Sequence, residues 1–377
     1  MEKSKKKVML YAFVKSNLGD DLFIKIITER YPNISFNLIA PTVYKKTFEK
    51  NTNLKIYNLN FATRKLNALL GRLFNKRIIS NLIAKQCDIS VYIGGSLFIE
   101  NTNKWKRIFR IDKCNLIKNQ PFYLLGANFG PFQDKEFYIS YKQLFQKYDD
   151  ICFRESYSYN LFKDIKHVRY ASDIVFTYKP PKNVDIKKQI AISVINLKRR
   201  EALSRYHSIY IKQLIRICED FVSKGYQIQL VSFCTDEGDV EAIDEIIKGI
   251  KDEYISSILQ YLYEGNIESC ISIIQQSEYI LATRFHAMIL GWVMQRPVFP
   301  ILYSNKTLNV INDVSFQGKY IRVQDMDQLS MDDVYYNLEK QIVVNVDEQK
   351  VRAEEQFLYL DKQLKNEDQG SRDKLKS

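Results

Sequence analysis

The chain has 377 residues, room for two or three domains, and its 46% hydrophobic and 27% charged content is that of a globular protein. With only 13 Gly and 8 Pro it is neither collagen-like nor low-complexity. A net charge of +12 with 13% aromatics invites a nucleic-acid reading, but residues 1–110 hold 21 Lys and Arg against 7 Asp and Glu, leaving a net of −2 for the other 267.

Apolar runs at 8–14, 35–39, 89–93, 122–125 and 151–153 predict buried strands. Between them, 20–31, 67–85, 104–117 and 135–148 carry apolar residues at helical spacing. The alternation pauses at 178–182, Tyr-Lys-Pro-Pro-Lys, which predicts a linker. It resumes with strands at 190–195, 227–233, 279–282 and 298–302, and with helices at 208–224, from 240, at 267–276 and at 285–294. Segment 347–364 predicts a terminal helix and 365–377 a disordered polar tail. Strands alternating with helices imply parallel sheets. The expected domains are 1–180 and 188–345, both Rossmann-like α/β units, with 346–377 as helix and tail. Such an arrangement places a ligand in the cleft between domains.

No run approaches the roughly 18–20 apolar residues that span a bilayer, and 8–14 is too short for a secretory signal core. Six widely spaced cysteines without a CxxC pair are expected as free, mostly buried thiols in a cytoplasmic protein. The three histidines, His167, His207 and His286, are too few for a histidine metal cluster. Asp325-x-Asp327 imitates a metal motif but is expected as a solvated turn, so no metal is expected.

Chemistry-bearing residues gather where predicted strands end. Asn17-Leu-Gly19-Asp20 sits between the first strand and first helix, where Gly19 permits a tight turn and Asp20 can cap. Gly94-Gly95-Ser96 and Asn128-Phe129-Gly130 follow two further strands. Neither GxGxxG nor GxxxxGK[ST] occurs. Arg284 and His286 open a predicted helix, a combination suited to trapping an anion. Tyr303, Ser304 and Lys306 follow the next strand with hydroxyls and a cation. Arg154 can bind a carboxylate or phosphate, and Asp173 can accept a proton or position a hydroxyl. For each set the plain alternative is a capped helix start or a structural ion pair.

Taken together, Asn17-x-Gly19-Asp20, Ile93-Gly-Gly-Ser96, Gly126-x-Asn128-x-Gly130-Pro131, Arg154-Glu155-x-x-Ser158, Asp173, Arg284-Phe-His286 and Pro300-x-x-Tyr303-Ser-x-Lys306 resemble the polysaccharide pyruvyl transferase family. The resemblance implies a GT-B-like fold with its site in the interdomain cleft. It implies phosphoenolpyruvate as donor, a sugar diol of a surface glycan or its lipid-linked precursor as acceptor, and no cofactor. On that reading Arg154, Arg284 and Lys306 would supply donor cations, aided by Tyr303 and Ser304. His286 would be the general acid/base, with Asp173 or Asp20 as alternatives for activating the acceptor. Asn17, Gly19, Asp20, Gly94, Gly95, Ser96, Asn128, Phe129 and Gly130 would line the acceptor side. Replacing Arg284 or His286 by alanine is expected to abolish ketal formation with the fold intact.

A nucleotide-sugar glycosyltransferase and a non-catalytic glycan- or nucleic-acid-binding protein are the rival readings; nucleic acid is not the expected partner. Segment 64–79 combines five cations with Leu, Phe and Ile at helical spacing. It fits an ordinary core-facing helix, or a helix lying on an anionic membrane surface at the inner face of the cell membrane.

Overall fold

Strands whose side chains are apolar in succession must be covered on both faces, the condition of a parallel sheet flanked by helices. A computed structural model, describing residues 5–59, 63, 65, 78–100 and 104–373, shows that outcome twice. The first sheet contains β1 (Lys7–Tyr11), β2 (Ser35–Ile39), β3 (Leu54–Tyr57), β4 (Ile89–Ile93), β5 (Phe122–Ala127), β6 (Asp150–Phe153) and β7 (Val168–Tyr170). Its order is β3-β2-β1-β4-β5-β6-β7, and every pairing is parallel. The second contains β8 (Lys187–Ser193), β9 (Gln227–Val231), β10 (Ile258–Tyr261), β11 (Ser277–Ala282), β12 (Val298–Leu302) and β13 (Ile321–Arg322). Its order, β10-β9-β8-β11-β12-β13, is also wholly parallel. Chain order reverses at β1/β4 and at β8/β11, the switch points where such sheets take ligands beyond their carboxyl ends.

In the first sheet the connecting helices are α1 (Leu18–Arg30), α2 (Val43–Thr47), α3 (Ile78–Ala84), α4 (Trp105–Asn115), α5 (Lys135–Phe145) and α6 (Ser156–Phe162). Around the second lie α7 (His207–Ser223), α8 (Asp239–Gly249), α9 (Ile267–Gln276), α10 (Phe285–Val293), α11 (Asn305–Asp313) and α12 (Met331–Glu339). Side-chain caps set several starts: Asp134 accepts from Glu136 N at 2.7 Å before α5, and Asn266 from Ser269 N at 3.1 Å before α9.

The two cores differ in chemistry. That of the first sheet is aromatic, with Phe98 and Tyr141 centroids 5.0 Å apart and Phe129 and Phe162 4.8 Å apart. That of the second is mainly aliphatic, with Ile190, Ile192, Leu214, Leu230 and Leu281 among its buried members. Much of the aromatic content is therefore packing. Phe129, expected to face an acceptor, is instead buried within this aromatic cluster because its ring points back into the core. All six cysteines are free, five of them buried.

The chain divides into two compact units. One comprises Met1–Val14, Phe23–Ile174 and Val351–Ser377, the other Lys15–Leu22 and Val175–Lys350. Residues 15–22 join the second unit through Leu18 N donating to Phe233 O at 3.0 Å and Tyr263 Oη donating to Asp21 Oδ2 at 2.6 Å. The expected terminal helix is two helices, α13 (Asp347–Glu354) and α14 (Leu358–Asp373), with a 3-10 turn between them. Part of the expected disordered tail thus continues as helix.

Between α13 and α14, the fully buried Gln356 binds four backbone groups of the first sheet's carboxyl edge. Its Oε1 accepts from Gly126 N, and its Nε2 donates to the carbonyls of Phe153, Ala171 and Ser172. Most of the basic segment 64–79 lies outside the described residues, which include only Lys65 and 78–79 of it.

Candidate functional site

At the carboxyl edge of the first sheet, Arg154 follows β6 and is buried. Its Nη1 donates to Asp173 Oδ2 at 2.9 Å and its Nη2 to Asn128 Oδ1 at 2.6 Å. Ser96 Oγ donates to the same Asn128 oxygen at 3.1 Å. Gly95 is required here, since a Cβ would sit 2.5 Å from Arg154 Nη1. Close backbone approach, the property read into the glycine pair, is realised with a guanidinium. The residues expected as a donor cation and a proton acceptor are thus partners in one buried ion pair. Gly94 N donates to Leu125 O at 3.3 Å, and Gly130 N to Phe98 O at 2.7 Å, so both loops are held by backbone bonds. Ser158 receives Phe129 N at 2.8 Å and donates to Glu155 Oε1 at 2.7 Å.

Nearby, at the β1/β4 switch point, a cavity of about 190 Å³ is lined by Tyr11, Tyr92, Asp112 and Asn115. Asp112 accepts from Tyr141 Oη at 2.8 Å. None of these four residues carries a motif signature in the sequence.

The second unit supplies the other cluster. Arg284 is the extended residue before α10, and its backbone N, with that of Thr283, donates to Ser193 Oγ at 3.0 Å. Each of its three guanidinium nitrogens donates: Nε to Asp239 Oδ2 at 3.1 Å, Nη2 to Asp239 Oδ1, and Nη1 to Glu237 Oε2 at 2.6 Å. Asp239, with no exposure, also accepts from the backbone N of Phe233 and Cys234. Arg284 therefore ties β11 to the loop after β9, and its polar atoms are not presented as an open fork. Its replacement by alanine would strand a buried carboxylate, so the expectation of an intact fold does not carry over.

His286, in the first turn of α10, points elsewhere. Its imidazole packs directly on Gly19, where any Cβ would overlap Nδ1. Asn17 shapes this turn by accepting from Gly19 N at 3.0 Å, and Asp20 follows in the first turn of α1. Asn17, Gly19 and Asp20, expected on the acceptor side of the first domain, belong to the second unit together with His286. The extended backbone at Arg284 and the helical start at Phe285 give these two side chains different neighbours.

Positive charge collects around Tyr303. The Arg200 guanidinium lies 4.7 Å from its ring centroid, and Lys306 Nζ is 5.6 Å from both this ring and that of Phe285. Burial works to raise the Tyr303 phenol, but Lys306, Arg200 and Arg284 outweigh it and hold the group below its ordinary value. Arg200 also donates to Glu237 at 3.0 Å. Burial likewise pushes the Glu237 carboxyl up, and the same three cations bring it below the usual range. Ser304 is the N-cap of α11 and its Oγ lies 3.4 Å from Thr307 Oγ1. Two helix N-termini, of α10 and α11, open at this edge. Arg200, Glu237 and Asp239 were missed in the sequence, because they lie in the connections after strands and at a helix start without a glycine-rich signature.

Asp325 and Asp327 are exposed on a 3-10 turn, and among the described residues no group of three His, Cys, Asp or Glu could hold a metal.

Two wholly parallel sheets of Rossmann order, with alternating helices and polar clusters at their carboxyl edges, define the GT-B class of transferase folds. Within that class the chain belongs to the polysaccharide pyruvyl transferase family, which it matches over residues 16–305. It is an enzyme of polysaccharide biosynthesis. The amylovoran biosynthesis protein AmsJ of Erwinia amylovora is 22% identical over 298 residues, 71% of each chain. Among solved structures, S. aureus MnaA with UDP is similar at TM-score 0.60 and 11% identity, covering 96% of this chain and 97% of that one. Anabaena HepE in complex with UDP-glucose gives a TM-score of 0.58 at 12% identity, covering 97% and 99%. These two structures share the fold.

Proposed function

We propose that the enzyme transfers the pyruvyl group of phosphoenolpyruvate to two hydroxyls of one sugar in a surface polysaccharide or its lipid-linked precursor. The product is a cyclic pyruvate ketal, and phosphate is released. The observation that carries the donor assignment is the placement of Arg200 and Lys306 4.7 and 5.6 Å from the Tyr303 ring, beside the starts of two helices. Phosphoenolpyruvate presents a carboxylate and a phosphate on a three-carbon skeleton, and needs cations from more than one direction. Lys306 and Arg200 would meet these groups, with Tyr303 and Ser304 donating hydrogen bonds and the starts of α10 and α11 adding partial positive charge. Arg284 would act by holding Glu237 and Asp239 and so fixing the cluster.

His286 is the proposed general acid/base. Proton delivery to the methylene carbon makes it a methyl group and leaves the adjoining carbon oxocarbenium-like. The first sugar hydroxyl bonds to that carbon and gives up its proton. Phosphate then departs with the electrons of its C–O bond, and the second hydroxyl closes the ring as it loses its own proton. The two hydroxyl protons balance the one placed on the methyl group and the one carried by phosphate.

Thermal unfolding with saturating phosphoenolpyruvate, compared with saturating nucleotide sugars, tests the donor. Phosphoenolpyruvate is expected to raise the midpoint by about 5 °C and nucleotide sugars to leave it unchanged. The reverse pattern would favour glycosyl transfer.

A further inference from the structure

The first unit carries a second cavity, away from the sheet edges. It measures about 450 Å³ and lies between α3, α4 and the residues that follow α4. Four cations line it: Lys85 directly after α3, Arg110 and Lys113 from α4, and Lys118 beyond. No carboxylate is among its described lining residues. None of the four cations is paired with a carboxylate among the described residues, whereas Lys106 on the same helix α4 pairs with Glu136 at 2.6 Å. The floor is apolar, built by Phe109, Leu116 and Ile117, and Leu82 stands 55% exposed at its side. In the wall, Asn81 Oδ1 is buried without a hydrogen-bond partner. Just before α3 the sequence adds Arg72, Lys76 and Arg77.

Unopposed cations around an apolar floor match one chemistry, an anionic head joined to a hydrocarbon body. A free sugar phosphate would satisfy the cations and leave the floor bare. A neutral lipid would leave the cations without a counter-charge. We propose that this cavity is a docking site for an anionic phospholipid at a membrane surface. The lipid phosphate lies among Arg110, Lys113 and Lys85, and the first methylenes of its chains cover Leu82, Phe109 and Ile117. Each basic residue near an anionic surface adds about 1 kcal/mol of attraction, screened by salt, while the apolar contact is not screened. This docking does not depend on the donor or the reaction assigned above.

The test is co-sedimentation of the full chain with vesicles of phosphatidylcholine alone, or with phosphatidylglycerol added, at low and high salt. The native chain is expected on phosphatidylglycerol vesicles only, with binding that weakens as salt rises. Removing two cations, in Arg110→Gln with Lys113→Gln, should weaken low-salt binding by about thirtyfold. Leu82→Asp should weaken binding at both salt concentrations. Thermal unfolding of each variant, altered only at exposed positions, reports that the fold is retained. Soluble glycerol phosphate at millimolar concentration should not displace the vesicles. Failure of the native chain to bind, equal binding to phosphatidylcholine, variants that bind like the native chain, or displacement by glycerol phosphate would each overturn the proposal.

Discussion

Gly19 and His286 form the contact on which the proposed chemistry depends, since the imidazole lies where any other residue's Cβ would be. Gly19→Ala should push the ring aside while the helix backbone of α1 tolerates alanine well. The expected outcome is a fall in kcat on the order of 10²-fold with a nearly native unfolding midpoint, measured by phosphate release from phosphoenolpyruvate. His286→Ala should cost about 10²–10⁴-fold. The double variant should be no worse than His286→Ala alone, because both substitutions remove one function. Arg284 behaves differently. Arg284→Ala leaves Asp239 buried and uncompensated and should destabilise the second unit by about 3–5 kcal/mol in urea unfolding. Removing the charge on both sides while keeping an acceptor for the backbone N of Phe233 and Cys234, in Arg284→Met with Asp239→Asn, should cost less than Arg284→Ala alone. The sequence exposed Arg284 as a cation at a strand end. It concealed the pairing, because Asp239 lies 45 positions away behind a different strand.

Among elements, the nine strands legible in the sequence are the nine inner strands of the two sheets. The four that were not, β3, β7, β10 and β13, are the four edges. An inner strand is covered on both faces and flanked on both sides, and therefore reads as an apolar run. An edge strand such as β3 or β10 keeps partial exposure along its length, so its sequence lacks that run.

The return of the C-terminal segment to the first unit was equally illegible, since its anchors are single polar residues. Arg30 grips Asp361 through Nε at 3.2 Å and Nη2 at 2.6 Å, and Tyr31 Oη donates to the same carboxylate at 2.6 Å. Burial pushes the Asp361 carboxyl up, but Arg30, Tyr31 and Lys365 together hold it below the ordinary aspartate value of about 3.9. A carboxyl more acidic in the folded than the unfolded chain stabilises above the unfolded value. That contribution is lost as pH falls through the lower folded value. Urea unfolding from neutral pH into the acid range should show this loss in the native chain and a weaker pH dependence in Asp361→Asn. Gln356→Ala, which removes a hydrogen bond from each of four backbone groups, should cost about 2–4 kcal/mol.

For the whole molecule, two compositional signals that suggested nucleic acid find other uses. The aromatic residues fill the core of the first unit. The basic excess is confined to residues 1–110, and two of its cations, Lys85 and Arg110, line a cavity with an apolar floor, while the cluster at Tyr303 uses only a few cations balanced by Glu237 and Asp239.

The proposed activity is tested most directly by mass spectrometry of surface glycans from cells that make the native protein, lack it, or make only His286→Ala. Pyruvyl transfer requires a carboxyethylidene ketal on a glycan sugar in the first case and its loss in the other two. An unchanged ketal in cells lacking the protein, or glycans that never carry one, would contradict the assignment.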